Sequence, residues 1–98
     1  MKVDEILYAL TTIEQNIKRM TFCQGFPEDT RLVMLAIDSM RSYTKDNDAE
    51  GFTRYVQAGL AASCGDMISE LVNTLWEELG LDDHTMWEEF EEKFLSAD

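Results

Sequence analysis

The sequence predicts an all-α fold, a compact bundle of four or five short helices forming a single domain over residues 1–98. Three observations predict it. Apolar residues recur at three- and four-residue steps, and no run alternates as a strand would. Glycine and proline are scarce, 5 and 1 in 98 residues. Capping patterns stand where one periodic segment gives way to the next. A chain of this length holds one domain, and 45% hydrophobic content supplies a core for it.

The first helix is expected from Val3, Ile6, Leu7, Leu10, Ile13, Ile17 and Met20, which share a face. Lys18 and Arg19 should fall in its last turn, where positive charge suits the helix dipole. Phe22 to Phe26 is expected to be a short connection containing Gly25, with Cys23 in the loop. Pro27 fits the first position of a second helix, followed by the first-turn acids Glu28 and Asp29. Leu32, Val33, Ala36, Ile37, Met40 and Tyr43 form its apolar stripe, and the stretch from Lys45 to Asp48 ends it. Asn47 with Glu50 reads as a capping box for the next helix.

Between residues 48 and 79 apolar pairs recur every four residues, from Tyr55/Val56 to Leu75/Trp76. A four-residue step overshoots the helical period, so the stripe turns by about 40° at each step. One straight helix could not bury both ends on the same side. The stretch is therefore expected to split near Gly65, with Asp66 as the new N-cap and a single long, bent helix as the alternative. The small residues Ala58, Gly59, Ala61, Ala62, Ser63 and Gly65 around the split predict a tight helix crossing, with a self-association face as the rival reading. Gly80 fits a left-handed helix stop, with Leu81 folding back onto Trp76. Thr85 and Glu88 then open a last helix whose Met86, Trp87, Phe90 and Phe94 share one face.

The net charge of −12 is unevenly placed. Residues 1–21 hold three acids and three bases, and residues 22–64 six acids and four bases. Residues 65–98 hold eleven acids against Lys93 alone. Such a surface repels nucleic acid and anionic membrane and attracts basic partners. No apolar run reaches the length of a membrane span. Met1 to Leu10 carries Lys2, Asp4 and Glu5, unlike a signal peptide, so Cys23 and Cys64 are expected as reduced thiols in the cytoplasm.

Catalytic chemistry finds little support. His84 stands beside Asp83 in a loop, and nothing in the spacing brings Cys23 or Cys64 to it. Two cysteines and one histidine make no zinc pattern, and no glycine-rich loop cradles a phosphate. Glu88/Glu91 and Glu89/Glu92 have the one-turn spacing of paired carboxylates in metal-dependent helical hydrolases, which makes such an enzyme the weakest reading. No catalytic residue, metal ligand or cofactor is expected.

Two short stretches resemble known sites. The stretch from Asp46 to Gly51 resembles the start of an EF-hand loop, with Asp46 and Asp48 as first and third ligands and Gly51 sixth. It departs at Glu50, at Thr53 and at Gln57, where a bidentate Glu would close the cage, so a helix–helix turn is expected instead. Asp38-Ser39-Met40 resembles the phosphopantetheine site of acyl carrier proteins, but Ser39 falls mid-helix and Ala36 replaces the usual Gly.

What remains is a non-enzymatic binding protein. Glu70, Glu77, Glu78, Asp82, Asp83, Glu88, Glu89, Glu91 and Glu92 are its candidate partner-binding residues, imitating the phosphate charge of DNA toward a basic, nucleic-acid-binding protein. Small phage and mobile-element inhibitors share this character. The alternative is a helical adaptor or homodimer subunit docking through Trp76, Trp87, Phe90 and Phe94. A plain solvated face and aromatics that only close the core are the readings both must beat.

Overall fold

The computed structural model describes residues 1–24, 28–62, 65–82 and 87–96, with the side chains of 20–24, 28 and 29 excepted. It is helical in every element. In order these are α1 (Val3–Gln24), α2 (Glu28–Lys45), α3 (Ala49–Ala61), α4 (Gly65–Glu78) and α5 (Trp87–Phe90), which runs on as a π-helical turn, Glu91–Leu95. Among the described residues there is no strand, and no helix is long and apolar enough to cross a membrane.

The helices fold back and forth on one another. Glu14 of α1 meets Arg41 of α2, Tyr43 of α2 meets Tyr55 of α3, and Gly59 of α3 lies against Ile68 of α4. Helices successive in sequence therefore run back along one another, while α2 and α4, also in contact, run in the same direction. They also define two ends. The ends of α2 and α4 gather with the starts of α1 and α3 and with the last helix. The end of α1, the start of α2, the end of α3 and the start of α4 gather at the other.

One core runs between them. Ile6, Leu10 and Ile13 of α1 pack with Ile37 and Met40 of α2, Phe52 and Val56 of α3, and Ile68, Leu71 and Leu75 of α4. Phe90, Phe94 and Leu95 close it. Thr44 is buried without penalty, because its hydroxyl donates to the Met40 carbonyl at 2.7 Å.

Several boundaries differ from expectation. α1 continues through Gln24, so Phe22, Cys23 and Gln24 are helical and Lys18 and Arg19 lie inside the helix. Nothing in that stretch stops a helix before Gly25. Lys18 instead pairs with Glu14 one turn away at 3.3 Å. The N-cap of α3 is Asp48, not Asn47: its carboxylate accepts from the Gly51 N–H at 2.9 Å. Asn47 takes the left-handed conformation, φ 56°, that ends α2. Its N–H donates to the Thr44 carbonyl and that of Asp48 to Tyr43, the two bonds of a Schellman stop. The residues that resembled an EF-hand thus make a three-residue turn, 46–48, and the start of the helix after it.

The break near Gly65 is present, and α4 begins at Gly65 itself, which places Asp66 inside the first turn. A Cβ at Gly65 would stand 2.5 Å from the Leu60 carbonyl oxygen, so the corner requires glycine. Of the described residues in that cluster, Gly65 and Gly59 are the close approaches, while Ala58, Ala61 and Ala62 are exposed. Gly80 ends α4 at φ 75° as expected, and the Leu81 N–H reaches the Trp76 carbonyl at 2.8 Å. Leu32 is a correction: placed in the α2 stripe by periodicity, it is 46% exposed. The readings of Gly25, Phe26, Pro27, Ser63, Cys64, His84, Thr85 and Met86 lie outside the described residues.

Candidate functional site: the acidic end

Trp76, at the end of α4, ties the acidic elements together. Its rings lie 5.8 Å from Trp87 and 4.5 Å from Phe90. Phe52 of α3 stacks on the same pair, at 6.3 Å from Trp87 and 6.0 Å from Phe90. Phe94 continues the stack 5.6 Å beyond Phe90. These rings are the joint that holds the last helix on the bundle, each contact adding to plain burial. Phe90 is fully buried and Trp76 and Phe94 nearly so. The sequence reading that put them on an exposed docking face is therefore without its surface. Trp87 is only partly covered, and its buried indole Nε1 has no hydrogen-bond partner among the described residues.

With the aromatics turned inward, the acids are turned outward. Glu77 and Glu78 at the end of α4 are exposed, as are Asp82, Glu88, Glu89 and Glu92. Because Trp76 touches Trp87 and Phe90, the Glu77–Glu78 pair and the Glu88–Glu92 run belong to neighbouring elements of one end. Two of the candidate residues stand apart. Glu70 is exposed on α4 but lies about 10 Å back along the helix from Glu77, from 1.5 Å per residue. Glu91 is half-buried and lines a groove with Ala49, Glu50, Thr53, Arg54 and Leu95, so it faces α3. Asp83 lies outside the described residues.

The π-helical turn was not foreseen. The Ser96 N–H donates to the Glu91 carbonyl at 2.8 Å, five residues back. Widening the turn lets Phe94 and Leu95 both point inward, where an α-helix continuing from Phe90 would bury Phe94 alone. The first residues of the chain hold this turn. The Lys2 N–H donates to the Phe94 carbonyl at 2.8 Å, and its ammonium lies 5.2 Å from the Phe94 ring centroid. The Met1 amino nitrogen donates to the Ser96 carbonyl at 3.1 Å.

The charge pairs join α1 to α2 and lie within α3. Arg41 bridges Glu14 and Asp38, and Arg54 pairs with Glu50. The Glu14 carboxyl is held below the usual carboxylate range, first by its hydrogen bond from Arg41; partial burial opposes this and Lys18 adds to it. Among the described residues no three His, Cys, Asp or Glu groups converge as a metal site would need. Ser39 sits within α2, as its place in the stripe requires. Comparison with protein families, with curated proteins and with solved structures finds no match for this chain.

Proposed function

We propose that this protein is a non-enzymatic binding protein of the cytoplasm, whose acidic end engages a basic, nucleic-acid-binding protein in place of DNA. The observation that carries the reading is the separation of charge from fold at that end. Glu77, Glu78, Glu88, Glu89 and Glu92 are all exposed on helices whose other faces are committed to the core. A rigid base under a like-charged surface is what a basic groove built for phosphates would accept. Glu70 and Glu91 contribute less, by their position. An inhibitor of the phage or mobile-element type would work in this way, by occupying the groove.

The experiment is retention from an extract of the native host on the immobilised protein. A DNA-binding protein should be retained, released by duplex DNA, and lost steeply as salt rises. The Glu88→Lys, Glu89→Lys, Glu92→Lys chain should retain none of it. Retention that survives the charge reversal, or that neither duplex DNA nor salt disturbs, overturns the reading.

A further inference from the structure

We infer that the groove between the start of α1, the end of α4 and the π-helical turn receives an arginine side chain of the basic partner. This rests on the function proposed above and names the group that the acidic end takes from that partner. The groove has a volume of about 440 Å³. Asp4, Glu5 and Tyr8 of α1, Glu78 of α4 and Phe94 line it together with Lys2. Among the described residues none of its three carboxylates joins an ion pair, although Lys2 lines the same groove. The Lys2 ammonium lies over the Phe94 ring instead, 5.2 Å from its centroid. The groove therefore already seats one cation on an aromatic ring and leaves its acids without a counter-charge from the chain. A cleft lined by one sign of charge draws in the other.

Tyr8 decides between arginine and any other cation. Its side chain is 76% exposed and is no part of the core. The other aromatic side chains described are buried or half-buried. Asp4 and Glu5 precede Tyr8 by one helical turn, so the two carboxylates and the ring share one patch of helix surface. Glu78 closes the groove from α4. A planar guanidinium can stack on a ring and donate two parallel hydrogen bonds to a carboxylate at the same time. A lysine ammonium is a strongly hydrated point charge and makes no such fork. Tyrosine and arginine are also both enriched among the residues that dominate binding energy at protein interfaces. The acidic surface thus extends from Glu77 and Glu78 onto the start of α1, which the candidate partner-binding residues did not include.

The test is titration of the full chain in low salt with a capped Gly-Arg-Gly peptide, followed by nuclear magnetic resonance. The Tyr8 ring and the Asp4, Glu5 and Glu78 carboxyls should shift and saturate together. The matching lysine peptide should bind at least about threefold more weakly, and the uncharged citrulline peptide should leave these signals in place. Tyr8→Ala should weaken the arginine peptide roughly fivefold, the scale of a cation–π contact, with helical circular dichroism unchanged. Glu78→Gln should act in the same direction, and Glu70→Gln, outside the groove, should have no effect. Arginine and lysine peptides that bind alike, or shifts spread evenly over Glu70 and the groove, would mean a diffuse ion atmosphere and overturn the inference. So would a Tyr8→Ala chain that binds as the parent does. Binding in the groove without retention of any DNA-binding protein on the immobilised chain sinks the proposed function and not the groove. Retention without binding in the groove sinks the groove alone.

Discussion

The two ends of this bundle are built on opposite plans. At one, Phe52, Trp76, Trp87, Phe90 and Phe94 stack into a continuous aromatic joint, and the surface over it is acidic. At the other, Leu32, Leu35 and Leu60 are exposed and charge is nearly balanced. The aromatic end spends its apolar residues on itself and offers solvent carboxylates and the Tyr8 ring. The leucine end keeps apolar residues outside. The lesson is that a strongly charged chain can stay folded where its charge is densest if that part also has a well-packed aromatic core.

The widest gap between the ends should come from side-chain deletion. Phe90→Ala removes the ring at the centre of the joint and should cost about 3–5 kcal/mol in urea unfolding. Leu35→Ala, at an exposed site, should stay within about 0.5 kcal/mol. Equal losses would break the comparison. Next in size is the corner at the leucine end. Gly65→Ala places a methyl carbon against the Leu60 carbonyl and should cost about 1–3 kcal/mol, the scale of overpacking. A neutral result would mean that the α3–α4 corner shifts freely.

The smallest effect lies between the ends. Glu14→Gln removes the carboxylate shared by Arg41 and Lys18 and should cost about 1–2 kcal/mol near neutral pH, since the pair is only partly shielded from solvent. The folded-state pKa of Glu14 is lowered, so its contribution is complete above the unfolded-state value and is lost as pH falls through the folded-state value. The difference between the parent and Glu14→Gln should therefore shrink on acidification through and below the carboxylate range. A difference that stays constant with pH would assign the loss to packing.

Much of the fold was legible because local chemistry and global packing agree. The stop at Gly80 and Leu81 is set by backbone geometry that only a few residues tolerate, so sequence reveals it. The break at Gly65 followed from the rotation of the stripe, a purely geometric argument. Asn47 and Asp48 illustrate the limit. Both are good caps, and what decides between them is which one takes positive φ, a property of the joined helices. Leu32 shows a different limit, since periodicity identifies an apolar face without saying which neighbour covers it. The π-helical turn gave no signal, because Phe94 and Leu95 suit one inward residue or two. The acidic residues were legible as a group, but Glu70 and Glu91 separate from it only when the helices are in place.

The stacking of Trp76 on Trp87 has a practical consequence. These are the only 2 tryptophans in the chain, and both sit in the joint beneath the acidic surface, 5.8 Å apart. Intrinsic fluorescence therefore watches one end of the molecule while far-ultraviolet dichroism averages over all of it. Unfolding curves from the two signals will superimpose only if the ends melt together. Ligand contact at the acidic end should alter emission with no label attached, whereas a change confined to the Gly65 corner should leave it untouched. One optical signal thus distinguishes events at the two ends.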